Sequence, residues 1–326
     1  MKTAIILLNW NGAADTIDCL ESLAQAKGSF FVVVVDNDSH DDSVERLRAW
    51  QSAHPSFELY LIEEKENHGF AIGNNIGVRY ASQYAPDYYM LLNNDTVVAP
   101  DFLEQLLSFM ATHKDYDVLS PVINYYDDRK KIWFGGGRLK TTGRTALHRG
   151  EDESVLEGVS SFPVNYVSGC AMLFSPKVLL HSGDVFSDKF FFGEEDHEFS
   201  VRVRNKFQMA CVTGAKIYHK IGMSRKKMSK QQDNFDAYIY YLSLYVIYGL
   251  YDSGITRFAK FLYVRLKSLD KFCKLGNTFV YSLKLSNRLY ADYLIHKNID
   301  KNCFEEMKSR FLSNNSSFPI NNQQSS

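Results

Sequence analysis

A chain of 326 residues with 45% hydrophobic and 23% charged residues suits one large domain, or a domain with an appendage, and is too apolar to be disordered throughout. A formal net charge of −1 leaves no electrostatic footprint for nucleic acid. Five scattered cysteines (Cys19, Cys170, Cys211, Cys273, Cys303) form no CxxC pair and read as reduced thiols of a cytosolic protein, not as a disulfide framework or zinc site.

Residues 4–8 are an apolar run too short for a secretory leader, and no run of about 18 apolar residues follows, so neither a leader nor a membrane-spanning helix is expected. That first run predicts a buried strand ending in Asn9-Trp10-Asn11-Gly12. Residues 15–26 place Ile17, Leu20, Leu23 and Ala24 at helical spacing. A second strand at 30–35 ends in Asp36-Asn37-Asp38-Ser39. A helix at 43–53 and a strand at 57–62 follow, and Asn67-His68-Gly69-Phe70-Ala71-Ile72-Gly73-Asn74-Asn75 opens a helix running to about 84. Tyr88-Tyr89-Met90-Leu91-Leu92 is a continuous apolar run stopped by Asn93-Asn94-Asp95, the pattern of a strand buried on both faces of a parallel sheet. A helix at 100–113, opened by Pro100, and a strand at 118–123 complete the first half. The alternation predicts an α/β fold with a mostly parallel sheet, flanking helices and right-handed crossovers.

From residue 124 the pattern changes. A charged turn at 127–131 leads to Gly135-Gly136-Gly137 and a hairpin or mobile loop to 150. A strand-like run at 164–174 is interrupted by Ser168-Gly169-Cys170. The acidic stretch Glu194-Glu195-Asp196-His197-Glu198 opens a helix to about 206, and a last strand at 209–218 ends at His219. Beyond 226 the composition turns to Lys, Arg, Tyr, Leu and Phe, and 313–326 is a low-complexity tail expected to be disordered. The expected division is a catalytic domain at 1–225, in halves 1–123 and 124–225, then a helical region at 226–312 and the tail.

Ligands of open α/β sheets sit at the carboxyl ends of the strands. Four such ends carry polar side chains: Asn9 and Asn11, Asp36 and Asp38, Asn67 and Asn74, Asn93 and Asp95. Asp36 can accept from a base or a ribose hydroxyl, and Asp95 offers hard oxygens to Mg²⁺ or Mn²⁺. Neither GxGxxG nor GxxxxGK[ST] occurs, which excludes the dinucleotide and P-loop fingerprints. Taken singly, each motif also has a plain structural reading: turn asparagines, an acidic first helical turn, a bulge.

In this order and spacing, Asn9-Trp10-Asn11-Gly12, Val35-Asp36-Asn37-Asp38-Ser39, the Asn67–Asn75 segment (67–75) and Leu92-Asn93-Asn94-Asp95 resemble the family 2 glycosyltransferases, most of all the bacterial rhamnosyltransferase-type members. The resemblance spans roughly residues 1–224. It implies a GT-A fold, a nucleotide-diphosphate sugar donor and an inverting transfer to an acceptor hydroxyl. It implies that Asn9, Asn11, Asp36, Asp38, Asn67, Gly69, Asn74, Asn93 and Asn94 surround the donor. Asn93-Asn94-Asp95 matches the family's DxD motif, with Asp95 on a divalent metal, and His219 with Ser224 resembles a motif closing on the diphosphate. The first acid of that motif is Asn here, which leaves fewer charges on the metal. Glu195-Asp196-His197-Glu198, with Arg202 one turn later, resembles the ED motif, with Asp196 the base beside Glu195. Glu198 is the only nearby carboxylate for a double displacement. Trp133, Gly135 and Gly136 resemble a loop over sugar and acceptor, and Ser168, Gly169 and Cys170 a small-residue strand beneath the acceptor, which Glu198 and Arg202 also face.

Two other readings are a sugar-nucleotide pyrophosphorylase and a non-catalytic nucleotide- or carbohydrate-binding module. The first calls for a Gly-rich basic loop where this chain has Asn9-Trp10-Asn11-Gly12; the second fits poorly with Asp95 and Asp196 both intact. Residues 238–251 are aromatic all round, and 258–274 mix apolar residues with Lys260, Arg265, Lys267, Lys271 and Lys274. A basic, aromatic amphipathic helix is the pattern of a segment lying in a membrane interface, against the alternative of an appendage packed on the catalytic domain or another subunit. The expectation is a cytoplasmic enzyme held peripherally on the inner face of the membrane. The family adds a glycan or glycolipid acceptor, lipid-linked, in cell-surface polysaccharide assembly.

Overall fold

The computed structural model describes residues 1–220 and 229–312. Ser224 and the 313–326 tail fall outside the described residues. The chain divides into two compact units, one of residues 1–187 with 195–220, the other of 188–194 with 229–312.

In the first unit the strands and helices alternate as β1 (Lys2–Asn9), α1 (Ala13–Ala24), β2 (Ser29–Asp36), α2 (Ser43–Ala53), β3 (Leu59–Glu63), α3 (Gly69–Ser82), β4 (Tyr88–Leu92), β5 (Thr96–Val98), α4 (Phe102–Thr112) and β6 (Tyr116–Tyr125). The second half of the unit adds β7 (Ile132–Phe134), β8 (Gly137–Lys140), β9 (Gly143–Ala146), β10 (Ser161–Val164), β11 (Ala171–Phe174), α5 (Pro176–Ser182), α6 (Glu195–Val203) and β12 (Gln208–His219). The sheet order is β10-β12-β6-β11-β4-β1-β2-β3, with β5 on β12 and β7 on β6, while β8 and β9 pair apart. β3, β2, β1 and β4 run parallel, as do β6 and β12. β11 is antiparallel to both β4 and β6, so these two point the same way.

The middles of β1, β2 and β4 are continuous apolar runs because both faces are covered. Ile5, Leu7, Val32 and Val34 face one layer with α1 and α4 residues Leu20, Leu23, Phe102 and Leu106. Ala4, Ile6, Val33 and Val35 face the other, with Ala71 and Val78 of α3. β7, and β10 for all but Val164, lie outside the expected strands, and so does β5, whose three residues carry no period. Its place comes from pairing: Thr96, Val97 and Val98 lie opposite His219, Tyr218 and Ile217.

The second unit holds α7 (Lys230–Tyr251), α8 (Gly254–Lys274), α9 (Phe279–His296) and α10 (Lys301–Leu312). α7 is aromatic all round because it is the unit's centre, burying Tyr238, Tyr245 and Tyr248. Asp292 is fully buried, which is tolerable only because it is compensated. It accepts hydrogen bonds from Tyr238, Arg288 and Arg310. Residues 188–194 join this unit through Ile299, whose N–H donates to the Lys189 carbonyl at 2.7 Å and whose carbonyl accepts from Phe191 N–H at 2.7 Å. Phe304 packs on Phe191, Phe192 and Phe235. No helix of the described residues is long and apolar enough to cross a membrane.

α3 sits close on the sheet because Gly73 and Gly77 have no side chains. A Cβ at Gly77 would lie 2.5 Å from Ile6 Cγ2 and 3.1 Å from Val35 Cγ2. Helix propensity favours Ala over Gly by about 1 kcal/mol, but overpacking of this kind costs about 1–3 kcal/mol. The clash wins, and Gly77→Ala is expected to lower the thermal midpoint by several degrees in scanning calorimetry. A raised midpoint would show that α3 can lift off the sheet.

Candidate functional site

The strand ends of the sheet unit are tied together by a chain of buried polar side chains. Asp36, at the end of β2, is 1% exposed, and its Oδ2 accepts from Asn9 Nδ2 (2.7 Å) and Ser39 Oγ (2.7 Å). Its Oδ1 accepts from Ser39 N–H at 2.9 Å. Asn9 Oδ1 accepts from Thr16 Oγ1 at 2.7 Å, and Thr16 Oγ1 in turn accepts from Asn94 Nδ2 at 2.9 Å. Asp36, expected to face a nucleoside, is thus held by internal bonds. Asn11, at φ 50, donates its N–H to Ser39 Oγ and accepts from His40 N–H. Asp38, at φ 66, lies 3.6 Å from His40 Nε2.

A second set of bonds anchors the loop before α3. Asn67 Oδ1 accepts from Gly69 N–H (2.8 Å) and Asn37 Nδ2 (3.1 Å), and Asn37 Oδ1 accepts from His68 N–H. Gly69 turns the chain at φ 76, and Asn74 Nδ2 donates back to the Phe70 carbonyl at 2.8 Å. Asn37 and Thr16 are the residues the motif reading passed over. Their signal is position, one at a strand end and one on the inward face of α1.

Asp95 and His219 are 124 residues apart and meet because β5 pairs with the end of β12. His219 Nε2 lies 3.0 Å from Asp95 Oδ1 and 3.2 Å from Oδ2, with its hydrogen bond on Oδ2. Burial would raise the Asp95 carboxyl, but the hydrogen bond and charge of His219 hold it below the usual range. Around this pair, Asn93 Oδ1, Asp95 Oδ1, His219 Nδ1 and Trp133 Nε1 are buried with no hydrogen-bond partner among the described residues. The Trp133 ring stands edge-on to His219, with centroids 4.6 Å apart. Buried polar atoms are normally satisfied, so unpaired atoms on these neighbouring residues are what a bound polar ligand would satisfy. A carboxylate, an amide oxygen and an imidazole fit a divalent cation that completes its shell with phosphate and water. No three His, Cys, Asp or Glu gather as a metal cluster among the described residues. Lys220 follows directly. Burial would lower its ammonium, but Asp15 and Asp18, at 2.8 and 2.6 Å, hold it above the usual lysine value.

The second carboxylate is Asp196, in the first turn of α6. Its Oδ2 accepts from Tyr166 OH at 3.0 Å and Gly169 N–H at 3.1 Å. Arg144 Nε, on β9, lies 3.9 Å from Oδ1, and its guanidinium lies over the Tyr166 ring. Tyr166 can lie there because residue 137 is glycine: a Cβ would come 2.2 Å from its ring. Gly136, at φ 77, likewise leaves no room for a Cβ beside Val164 and Cys211, so this glycine run is packed. Gly135 N–H donates to the Leu147 carbonyl. Glu195, His197 and Glu198 are buried in α6. Glu198 accepts from Arg202 Nε at 2.9 Å, and Arg202 also donates to the Val185 carbonyl, so both side chains tie α6 to the 184–186 segment.

One turn joins the two carboxylates. Gly169 N–H donates to Asp196, while the carbonyl of its neighbour Cys170 accepts from Asn93 N–H at 2.7 Å. Ser168 is buried in the same turn. Burial pushes the Cys170 thiol well above its usual value, with Asp95 and Asp196 both adding to the rise. Cys19 and Cys211 are pushed up to about 12 by burial, so these thiols are not nucleophiles.

The family model for glycosyl transferase family 2 matches residues 4–171. A curated relative, low-salt glycan biosynthesis hexosyltransferase Agl10 of Haloferax volcanii, is 26% identical over 210 residues, covering 62% of this chain and 62% of the relative, just under two thirds of its length. Among solved structures, mannosyltransferase PcManGT from Pyrobaculum calidifontis, in complex with GDP-Man and Mn²⁺, superimposes with a TM-score of 0.56 at 16% identity, over 90% of this chain and 75% of that one. TarS of S. aureus gives 0.54 at 16% identity, over 95% and 91%. GalNAc-T7, solved with UDP, GalNAc and Mn²⁺, gives 0.60 at 11% identity, over 98% and 58%. At these identities the likeness is one of fold, the GT-A fold.

The Asp36–Asn9–Thr16–Asn94 chain can be tested without a ligand. Thr16→Val keeps the shape and leaves Asn9 Oδ1 and Asn94 Nδ2 each short of a bond. A loss of about 1–3 kcal/mol in urea unfolding is expected. An unchanged midpoint and slope would mean the chain supports nothing.

Proposed function

The chain belongs to glycosyl transferase family 2, and from that premise we propose that it moves a sugar from a nucleotide-diphosphate donor to an acceptor hydroxyl with inversion. The observation that supports this best is the turn at Gly169 and Cys170, two consecutive residues of which the first donates its N–H to Asp196 and the second accepts from Asn93 N–H at its carbonyl. A transfer of this kind needs a group that stabilises the departing diphosphate and a base for the hydroxyl proton, held close together.

Asp95, with Asn93 and His219 beside it, would hold a divalent cation, Mg²⁺ or Mn²⁺. When bound, that cation stabilises negative charge on the diphosphate. Asp196 is the base. The Tyr166 and Gly169 hydrogen bonds both fall on Oδ2, which supports a reading in which Oδ1, 3.9 Å from Arg144 Nε, takes the hydroxyl proton. The hydroxyl oxygen bonds to the anomeric carbon as its proton passes to Asp196, and the bond to the diphosphate breaks with its electron pair leaving on the nucleotide. A double displacement needs a second carboxylate as nucleophile. Glu198 is fully buried and bonded to Arg202, which favours a single displacement. The fold neighbours solved with GDP-Man and UDP-GlcNAc favour a sugar-nucleotide donor. The Asn93-Asn94-Asp95 motif favours a hexose or deoxyhexose donor of the rhamnosyltransferase type. The acceptor is a lipid-linked glycan, met at the cytoplasmic face of a membrane.

Asp95→Ala is expected to abolish the Mn²⁺-dependent part of nucleotide diphosphate affinity in calorimetry. Affinity that stays Mn²⁺-dependent would remove Asp95 from the metal. Asp196→Asn should bind donor normally while single-turnover transfer at saturating donor falls about 10²–10⁴-fold. Near wild-type transfer by Asp196→Asn, with Glu195→Gln dead, would move the base to Glu195.

A further inference from the structure

α8 presents a stripe that no described residue of its unit covers. Ile255, Phe258, Leu262 and Leu266 are 88%, 70%, 48% and 59% exposed, and their spacing of three, four and four residues keeps them in one line. Val264, Ser268 and Phe272, on the opposite side of the helix, are buried. The stripe runs for about 16 Å along the axis. Phe279 and Val280, in the first turn of α9, are 62% and 63% exposed. Single exposed apolar residues are ordinary, but an ordered line of them marks an interaction surface.

Its surroundings select the partner. Residues 254–297 hold 9 Lys and Arg against 2 Asp and Glu in a chain whose net charge is −1. One of those acids, Asp292, is buried between Arg288 and Arg310, and the other, Asp270, is paired with Lys274. The hairpin surface is therefore an apolar line within a positive field. A protein partner would need an acidic rim around an apolar groove. An anionic bilayer supplies both features without matching, since lysine stems reach headgroup phosphates while apolar side chains enter the acyl boundary. No helix of the described residues is long and apolar enough to cross the bilayer, so α8 would lie in its plane.

We propose that the α8–α9 hairpin is a docking surface for anionic lipid, with Ile255, Phe258, Leu262 and Leu266 entering the bilayer. This deepens the membrane reading above and rests on it, but it does not require sugar transfer.

The test uses the full chain and vesicles of phosphatidylcholine with or without phosphatidylglycerol. Wild-type protein should sediment with the mixed vesicles at low salt, not with phosphatidylcholine alone, and be released in about 1 M salt, where the Debye length is about 3 Å. Phe258→Glu with Leu262→Glu should lower partitioning at least about tenfold, and Lys267→Glu with Lys274→Glu about tenfold or more. Leu180→Glu, at an isolated apolar residue 87% exposed on α5, is the control and should bind as wild type. Nucleotide diphosphate affinity, measured on each variant, should not change, so a failed enzyme reading and a failed docking reading are told apart. The proposal is overturned if wild-type protein stays in the supernatant with mixed vesicles at low salt. It is also overturned if the α8 changes dissociate a dimer without altering sedimentation, or if Leu180→Glu loses as much binding as they do.

Discussion

The site depends on a short run of hydrogen bonds, buried from Asp36 through Asn9 to Thr16 and half-buried where Asn94 joins. Each bond is ordinary, but the four side chains come from β2, β1, α1 and the turn after β4. Burial makes the run strict, because each polar atom removed from water must find its partner inside, and losing one leaves another unpaired. The ends of three parallel strands are thereby held at one level. The Asn93-Asn94-Asp95 turn then has little freedom before β5 begins, and the pairing of β5 with β12 carries Asp95 to His219.

That arrangement explains how a motif with one carboxylate fewer can still gather charge. In the proposed cation site Asn93 would offer an amide oxygen where a second acid would add another negative charge, and His219 holds the Asp95 carboxyl below its usual range against its own burial. Lys220, one residue further, is neutralised by Asp15 and Asp18, so its charge does not compete at Asp95. Asp196 is held differently, by a phenol and a peptide N–H on one oxygen. Two carboxylates in one unit thus stand in different settings, one beside orphaned polar atoms and the other fixed and partly open.

The strand ends were legible in the sequence because each is an apolar run stopped by Asn or Asp, a pattern set by burial on both faces. The motifs were legible for the same reason, and their order carried the family. The direction of their side chains was not. Asp36, Asn9 and Asn67 are the residue types a ligand would want, yet in the structure Asp36 and Asn9 bond each other and Asn67 bonds Asn37 and Gly69, and a linear reading cannot tell these uses apart. Tyr166, Arg144 and Gly137 went unseen because they reach Asp196 through the hairpin and the 164–170 turn, far from it in sequence. Glu198 and Arg202 share a helical i, i+4 spacing that also fits an ion pair within the helix, and the structure pairs them at 2.9 Å. The aromatic residues of α7 fill the interior of the helical unit, whereas the exposed line belongs to α8.

The segment 188–194 leaves the sheet unit at Ser187, pairs with Ile299 in the helical unit, and returns at Glu195. The boundary between the units is therefore crossed more than once along the chain. During synthesis this matters in time. The partner strand residue emerges from the ribosome about a hundred residues after Phe191, a wait of about 5–20 s at ordinary elongation rates. Until then the segment leading into α6 has no partner at Ile299, and the turn bearing Asp196 is entered from an unanchored chain. Completion of the C-terminal helices, rather than of the sheet, therefore marks the moment when residues 188–194 gain their partner.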